Sequence, residues 1–429
     1  MTDNRYRRLP VGIQSFKVIR EENYLYVDKS DIVWNMVNLG DKYNYLSRPR
    51  RFGKSVLVDT LESYLEGRKD LFEGLKIMQL EKDWKHYPVI RLDMSRGGAN
   101  EETLRSYLNL RFKDYEEKYN ITPDPTAMLA DRFHAIIATA YKQTGLRVAV
   151  LIDEYDSPLQ HSWRTPEHEK CTGVYREVFA ILKADDEYEH FVFITGITKF
   201  TQISLFSVLN NLSNISFTPE YAAICGITEE EIKENFMPEI IQMSEANNWS
   251  VQETHDRLKA YYDGYHFSDD NMVDIYNPYS LVNALKQRKI KNFWASSGAT
   301  SLLPKFVDNA ELRLSKFENC SIMRNTLELS DVSGGGAELF LYQSGYLTIK
   351  ESDEFGYILG FPNKEVKQAL YETVLPALAM RSENEIQSLQ ACLYRYLGTG
   401  QIDEAMKSLK ALIADVPYSN KKLASMDME

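Results

Sequence analysis

The sequence contains few cysteines and lacks any long hydrophobic run. Its four cysteines, Cys171, Cys225, Cys320 and Cys392, lie far apart without a C-x-x-C pair, and the seven histidines are equally scattered. A structural zinc site needs clustered ligands, so this spacing argues against one and predicts buried thiols in a reducing compartment. No stretch approaches the roughly 18 apolar residues of a membrane span, and no apolar run follows the basic start. We therefore expect a cytoplasmic protein with no membrane partner.

Acidic residues outnumber basic ones, and the formal net charge is −12. That charge argues against strong nonspecific affinity for nucleic acid over the whole surface, although it allows one local basic patch. Hydrophobic residues make up 44% of the chain and charged residues 26%, which are the proportions of a globular protein. Because a single core stops growing at about 250–300 residues, a chain of 429 residues predicts two or three domains.

Up to about residue 215, strand patterns alternate with helix patterns, which is typical of an α/β domain. Val148–Asp153 and Phe191–Thr195 are nearly unbroken apolar runs, as expected for central strands of a parallel sheet that is covered on both faces. The other predicted strands are Tyr24–Val27, Tyr43–Ser47, Val89–Asp93 and Ile215–Thr218.

Helix signals dominate after about residue 220. Thr228 and Glu231 form a capping box, and Asn277-Pro278 combines a cap with a proline in the first turn of another helix. A third helix is predicted over Val251–Tyr262. After a glycine-rich break at residues 333–336, a helix followed by a hairpin indicates a winged helix. The elements of this module are a helix at Ala337–Ser344 and strands at Tyr346–Lys350 and Tyr357–Phe361.

The strand Tyr43–Ser47 runs into the segment RPRRFGKS, and an apolar helix pattern follows. This is the strand–loop–helix setting of a phosphate-binding loop. Gly53 would let the backbone approach the phosphates, Lys54 would contact the β- and γ-phosphates, and the Ser55 hydroxyl would ligate Mg²⁺. The usual first glycine of such a loop is replaced by Arg48. A basic surface turn before a helix is therefore the alternative.

Three arginines, Arg48, Arg50 and Arg51, lie unusually close to this loop. One of them could neutralise charge that develops in the transition state, as an arginine finger does. They could equally pair with acidic residues on neighbouring helices, and the sequence does not choose between these roles.

The apolar strand VAVLID ends in Asp153 and is followed by Glu154. A strand ending in two acids delivers carboxylates to the sheet edge where α/β folds bind ligands. Asp153 would hold the Mg²⁺ shell, and Glu154 would orient or deprotonate the attacking water. Beyond the next strand, Thr198 and Lys199 are candidate sensors of the γ-phosphate. A capped loop with a solvated lysine is the alternative for them.

With these residues in place, the sequence resembles the bacterial predicted AAA-ATPase-like family, whose members commonly continue into a nuclease-like domain of the PD-(D/E)XK superfamily. The family typically lacks the first glycine of the phosphate loop. The resemblance implies ATP and Mg²⁺ as cofactors. It also implies an α/β fold of the AAA-like P-loop NTPase type, in which helices cover both faces of a parallel sheet. A helical lid and a winged-helix-like module would follow this core. The matching segments are Leu9–Ile13, Tyr26–Lys29, Ser47–Ser55, Leu151–Asp156, Gly196–Phe200, Ser204–Phe206, Tyr262–Phe267, Tyr276–Ser280, Phe293–Gly298 and Gln343–Tyr346.

The resemblance also suggests that Val27-Asp28-Lys29 borders the adenine, as in origin-recognition-like and archaeal ATPases; a capped helix start is a compatible alternative. The predicted catalytic residues are Lys54, Glu154, Arg51 and Thr198. The predicted nucleotide contacts are Asp28, Lys29, Arg50, Phe52, Gly53, Lys54, Ser55 and Val56, and the predicted Mg²⁺ ligands are Ser55 and Asp153.

The predicted domains are an ATPase core at 1–220, a helical lid at 221–272, a winged-helix-like module at 273–370 and a helical segment at 371–429. That last segment leads towards a nuclease-like domain that the sequence lacks, as in a truncated chain or a short family member. Asp353, Glu365 and Lys367 mimic the nuclease spacing, but Pro362-Asn363 breaks the strand that would carry the last two. We interpret this match as a coincidence.

The predicted function is Mg-dependent ATP binding and hydrolysis that drives a conformational switch, with ATP and ADP as the bound partners. A role in nucleic-acid processing or defence is suggested only by the family's association with a nuclease-like domain. One alternative is a nucleotide-binding module without turnover. Another is a DNA- or protein-binding module that works through the winged-helix-like region. The basic run Lys286–Lys291 favours DNA, whereas the acidic hairpin tip Glu351–Glu354 opposes it. The tyrosine-rich segment Tyr261–Phe267 either packs the lid on the core or faces a partner.

Overall fold

A computed structural model of the protein describes residues 8–124, 126–200, 211–295, 303, 317–329, 336–379 and 383–407. Residues 333–335 of the predicted break at 333–336, the family segment 204–206 and residues 296–298 of the family segment 293–298 lie outside these ranges. The strands are β1 Tyr43–Ser47, β2 Val89–Asp93, β3 Val148–Asp153, β4 Glu189–Gly196, β5 Ser213–Asn214, β6 Ile227–Thr228, β7 Ile275–Tyr276, β8 Cys320–Met323, β9 Thr348–Ser352 and β10 Gly356–Gly360.

Helices connect these strands and extend the chain at its C-terminal end. No helix in the described ranges is long and apolar enough to cross a membrane. The helices are α1 Phe16–Glu21, α2 Ser30–Asn38, α3 Lys54–Leu65, α4 Ile77–Leu80, α5 Glu101–Lys118, α6 Leu129–Thr144, α7 Ser157–Ser162, α8 Glu167–Phe179, α9 Ile181–Ala184, α10 Glu229–Asn235, α11 Met237–Asn247, α12 Val251–Tyr262, α13 Pro278–Gln287, α14 Arg324–Leu329, α15 Gly336–Ser344, α16 Lys364–Ala379 and α17 Glu383–Gly398.

The first half of the chain builds a five-stranded sheet in the order β2-β3-β4-β1-β5, in which all paired strands are parallel. Every residue of β3 is buried, because both faces of this strand are covered, as its unbroken apolar run predicts. The carboxyl ends of parallel strands meet at one edge of a sheet. The loop after β1 and the acids after β3 therefore lie at the same edge, with β4 between the two strands.

Two predicted strands are wrong in detail. Tyr24–Val27 is not a strand, and Tyr24 makes only an isolated bridge to Arg8. This segment lies between two hydrophobic cores: Leu25 belongs to one, and Tyr26 packs against the other. The predicted strand at Ile215–Thr218 is mainly a 3₁₀ turn, because the Asn214 side chain accepts a hydrogen bond from the Ser216 amide and turns the chain after β5.

A separate hydrophobic core holds the helical module. The capping box of Thr228 and Glu231 opens α10, α12 has the predicted bounds, and the Asn277 side chain caps α13 by accepting from the Ser280 amide. Leu281 of α13 packs in the same core as residues of α10, α11 and α12. The helix α13, which follows residue 272, thus buries its apolar face in the core that these three helices form. The basic run 286–291 at the end of α13 is largely exposed.

The C-terminal half forms an antiparallel sheet in the order β8-β10-β9. The predicted hairpin is confirmed as β9 and β10, and the predicted helix before it as α15, whereas β8 was not predicted. Residues of this sheet, including Ile349 and Leu359, belong to the same hydrophobic core as the parallel sheet. Tyr262 and Tyr265 are fully buried, which confirms the packing interpretation of the tyrosine-rich segment.

Candidate functional site

A cavity of about 490 Å³ lies at the carboxyl edge of the parallel sheet. This volume is within the range of small-molecule sites. The loop after β1 and the first turn of α3 form one wall, and Glu154 lies beside them. The opposite walls come from segments far away in sequence, namely Pro10–Gln14, Ile224–Ile227 and residues of α13 including Tyr279, Val282 and Asn283.

Gly53 sets the geometry of the loop after β1. It has a φ of +91°, a left-handed conformation that glycine adopts without strain, and it is the residue immediately before α3. A helix N-terminus carries unpaired backbone N–H groups and the positive end of the helix dipole. The start of α3 lines the cavity, so this wall is suited to a negatively charged ligand.

Lys54 is buried within its own loop. Its Nζ donates to the carbonyl oxygens of Arg48 at 2.9 Å and Pro49 at 3.0 Å. Burial lowers the pKa of this ammonium group, while the charges of Glu154 and Asp153 act in the opposite direction. Both acceptors are neutral, and a charged acceptor forms a stronger hydrogen bond with an ammonium group. An anion in the cavity could therefore displace these carbonyls.

Ser55, Asp153 and Glu154 come together between this cavity and an adjoining one of about 190 Å³. Burial raises the pKa of the Asp153 carboxyl, and a hydrogen bond from the Ser55 hydroxyl lowers it. Glu154 has a φ of +46°, which is rare for a residue with a side chain and marks a strained position. Its side chain lines both cavities, and burial raises the pKa of its carboxyl.

These residues also fit a hydrated divalent cation. Mg²⁺ usually takes one or two protein oxygens and completes its shell with water and substrate phosphates. The Ser55 hydroxyl and the Asp153 carboxylate supply oxygens of that kind. Within the described ranges, no three His, Cys, Asp or Glu side chains are arranged to hold a metal ion alone. With one hydroxyl and one carboxylate from the protein, the remaining ligand positions of such a cation would be left to water and phosphate oxygens.

Sequence reasoning missed Asp93, which ends β2 beside Asp153 in the sheet register. Its carboxylate lines the smaller cavity together with Asp153 and Glu154, and it accepts a hydrogen bond from the Ser95 hydroxyl at 2.6 Å. The sequence did contain a signal for Asp93, because this residue is an acid at the carboxyl end of a predicted strand, as Asp153 is. The cavity walls at Tyr279 and at Pro10–Gln14 had no comparable signal, because only tertiary packing brings them there.

The three arginines have different environments. Arg48 is 1% exposed and donates to the carbonyl oxygens of Ser47, Ser216 and Tyr221 at 2.8–3.0 Å. Arg48 is therefore a buried structural residue, and it acts neither as an arginine finger nor as the partner of an acidic side chain. Arg50 and Arg51 line the cavity. The Arg51 guanidinium carbon lies 4.8 Å from the ring centroid of Tyr279, across the cavity from the loop.

The side chains of Asp28 and Lys29, which immediately precede α2, have different surroundings. The Asp28 carboxylate accepts from the backbone amides of Ser30 at 2.9 Å and Lys76 at 2.7 Å, and it does not line the cavity. The predicted capped helix start is wrong, because the cap position of α2 is Lys29 and no side chain caps it; Asp28 instead forms a local turn with the Ser30 amide. Lys29 does line the cavity, but its ammonium group lies 2.6 Å from the carboxylate of Glu231 in α10.

Phe52 and Val56, two of the predicted nucleotide contacts, line the cavity, and Phe52 also packs edge-on against Tyr265 at 4.7 Å between ring centroids. Thr198 does not line it. The Thr198 hydroxyl donates to the Asp156 carboxylate at 2.7 Å and is fully buried. Lys199 Nζ donates instead to the carbonyl oxygen of Glu328 at 2.9 Å.

The geometry does not bring either predicted sensor to the cavity, because Asp156 and the C-terminal half hold the loop that carries them. The nuclease-like spacing is confirmed as a coincidence. Glu365 lies in the first turn of α16 and its carboxylate accepts hydrogen bonds from the amides of Phe293 and Trp294, while Lys367 pairs with Glu318.

The family model described as Predicted AAA-ATPase matches residues 10–206. A relative from Azotobacter chroococcum mcd 1, described as an uncharacterized protein in the vnfD 5' region, is 32% identical over 398 residues. The match covers 89% of this chain and 74% of the relative.

Two solved structures are also similar. The Aeropyrum pernix Orc1 protein in complex with DNA is 13% identical over 79% of this chain and 89% of that chain, with a TM-score of 0.27. Cdc6p from Pyrobaculum aerophilum is 12% identical over 87% of this chain and 96% of that chain, with a TM-score of 0.25.

Proposed function

Because the chain belongs to the predicted AAA-ATPase family, we propose that it binds Mg-ATP in the cavity at the carboxyl edge of the parallel sheet and hydrolyses it. The observation that carries this proposal is that Lys54, Ser55 and Glu154 line that cavity, while Ser55 and Glu154 meet Asp153 in the adjoining smaller one. A phosphate-binding wall and a pair of acids are the parts that phosphoryl transfer to water requires.

The triphosphate lies along the loop after β1, where the first backbone N–H groups of α3 and the helix dipole attract it. Lys54 exchanges its two carbonyl acceptors for oxygens of the β- and γ-phosphates. The base and ribose occupy the more apolar end of the cavity, towards Val27, Ile227 and Phe236. Arg51 lies near the phosphates, where its charge offsets theirs.

Ser55 and Asp153 would hold Mg²⁺, since both supply oxygen ligands of the kind that this cation prefers. When bound, the cation neutralises charge on the phosphates. Glu154 orients the attacking water and accepts its proton. Its raised carboxyl pKa makes it a stronger base than an ordinary exposed glutamate, which favours this role.

Hydrolysis is coupled to a change of conformation. Two contacts join the ATPase loops to the helical module around the cavity, the ion pair between Lys29 and Glu231 and the stacking of Arg51 on Tyr279. A ligand that draws Arg51 towards its phosphates changes the second contact directly. The nucleotide state can thereby alter how the helical module sits on the sheet.

The test is to measure Mg-dependent ATP binding and phosphate release for the wild type and Glu154→Gln, with Glu354→Gln on the exposed hairpin as the matched control. We expect Glu154→Gln to bind ATP with near-normal affinity and to lose phosphate release by about 10²–10⁴-fold, since it removes the base without removing a phosphate contact. Glu354→Gln should behave as wild type.

Two results would contradict the proposal in different ways. A wild-type protein that binds Mg-ATP but releases no phosphate supports a nucleotide-binding module without turnover. A wild-type protein that binds no ATP at millimolar concentration refutes the assignment of the cavity altogether.

A further inference from the structure

The segment Gln343–Tyr346, hereafter the 343–346 turn, comprises the last two residues of α15 and the first two residues of its connection to β9, and it lies against the phosphate loop. Gly345 has a φ of +89°, and a Cβ atom at this position would lie 2.6 Å from the Cβ of Pro49. Only glycine allows so close an approach. Pro49 is also one of the two carbonyl acceptors of Lys54. The turn is therefore in direct contact with the loop that faces the candidate phosphate site.

The same turn also holds the loop after β4. Gln343 is 6% exposed, and its side-chain Oε1 accepts a hydrogen bond from the Lys199 amide at 3.1 Å. The preceding residue, Thr198, donates from its amide at 2.6 Å and from its hydroxyl at 2.7 Å to one carboxylate oxygen of Asp156. Asp156 lies two residues after Glu154. A chain of buried hydrogen bonds thus leads from the acid loop to the 343–346 turn.

This chain of contacts is tightly packed. Asp156 is fully buried, and a Cβ atom on Gly196 at the end of β4 would lie 2.4 Å from its Oδ1. The acid loop therefore cannot shift without moving the loop after β4, because close-packed interiors leave no room to absorb the displacement. Beyond the turn, Tyr346 packs edge-on against Trp294 at 4.7 Å, and the chain enters β9 of the antiparallel sheet.

We propose that the 343–346 turn couples nucleotide occupancy to the antiparallel sheet β8-β10-β9, with Gln343 as the positioning residue. It contacts the phosphate loop through Pro49. Through Lys199 it also contacts the loop after β4, which Thr198 ties to Asp156, two residues after Glu154. This inference rests on the proposed function, since it needs ATP and ADP to occupy the cavity differently. The coupling is reciprocal, so a partner that binds the antiparallel sheet also changes the affinity for ATP.

The test is amide hydrogen exchange on the intact chain with Mg-ADP or with a non-hydrolysable Mg-ATP analogue, followed in peptides that cover residues 346–360. The wild type should exchange about fivefold more slowly in this segment with the ATP analogue than with ADP, which is the lower end of typical coupling. Gln343→Leu should abolish this difference while its ATP affinity and hydrolysis stay within about threefold of the wild type. Gln368→Leu, the same substitution at an exposed residue of α16, should keep the difference.

Two further variants separate coupling from folding. Gln343→Glu keeps an acceptor for the Lys199 amide and should restore the difference that leucine abolishes. If Gln343→Leu fails to fold, Thr198→Val and Thr198→Ser provide the second comparison. Valine loses the hydroxyl bond to Asp156 and should lose the exchange difference, whereas serine should retain it.

The outcomes distinguish this inference from the proposed function. A wild type that binds both nucleotides but shows no exchange difference at 346–360 overturns the coupling and leaves ATP binding intact. A folded Gln343→Leu variant that keeps the difference also overturns it. A wild type that binds neither nucleotide overturns the proposed function, and the coupling with it.

Discussion

Replacing Lys54 with methionine should affect the nucleotide-free protein and nucleotide binding very differently. Without a ligand, the substitution removes a buried charge whose pKa burial lowers, but it also takes the donor from the carbonyl oxygens of Arg48 and Pro49. Removing the charge is favourable, and leaving two carbonyls without that donor is unfavourable by about 1–3 kcal/mol. Because methionine fills a similar volume, we expect the free energy of unfolding to change by less than about 1 kcal/mol.

ATP binding should respond much more strongly. A hydrogen bond to a charged group contributes about 1.5–3 kcal/mol, so the loss of the Lys54 contact to the phosphates corresponds to about 10- to 150-fold weaker binding. At an ATP concentration 100 times the wild-type Kd, ATP stabilises the wild type by about 2.7 kcal/mol. A variant that binds about 100-fold more weakly would retain only about 0.4 kcal/mol of that stabilisation.

Both quantities can be measured on the same samples. Thermal unfolding with and without Mg-ATP gives the stability of the free protein and the stabilisation by the ligand, and titration with a fluorescent ATP derivative gives the affinity. Lys289→Met, at an exposed position after α13, is the matched control and should leave both unchanged. An equal ATP affinity for Lys54→Met and the wild type would refute the assignment of Lys54 to the phosphates. A collapse of the free protein would show that its two carbonyl contacts matter more than we infer.

Three further predictions follow from other contacts. Lys29→Met should lower the melting temperature, because it leaves the carboxylate of Glu231 without its buried partner, whereas Lys29→Met combined with Glu231→Gln should recover most of the loss in a double-mutant cycle. Tyr279→Leu should strengthen ATP binding about two- to fivefold, because it removes the ring contact that Arg51 gives up when the phosphates draw it away, and Tyr279→Phe should not. Burial raises the pKa of Glu189 from 4.5 to about 8, so its contribution to stability is full below pH 4.5 and is lost as the pH rises to about 8. Urea unfolding from pH 5 to 8.5 should show a smaller decline for Glu189→Gln; an unchanged decline would contradict the assignment.

Local patterns were sufficient for much of the fold. The bounds of β1, β2 and β3 agree with the predicted strands because each is a short segment whose apolar residues and flanking breaks are contiguous in sequence. The start of α10 was likewise predictable, since a capping box involves only residues three apart. The prediction of a strand at Tyr24–Val27 was wrong, because a strand needs a neighbouring strand to pair with, and this segment lies between two hydrophobic cores.

The sequence by itself also determined which residues meet at the sheet edge. Gly53, Lys54, Ser55, Asp153 and Glu154 follow the ends of two parallel strands, and parallel strands present their carboxyl ends at one edge whatever the rest of the fold does. Their types and their positions after the strands were therefore enough to predict a common site.

Only the tertiary structure decided which neighbouring side chains turn towards that site. Arg48 and Thr198 are next to it in sequence or in the sheet, yet buried hydrogen bonds to distant carbonyls and to Asp156 turn both away from the cavity. Tyr279 is far away in sequence and lines the cavity because α13 packs beside it. A side chain points to the partners that packing supplies, and those partners are residues that no local pattern identifies.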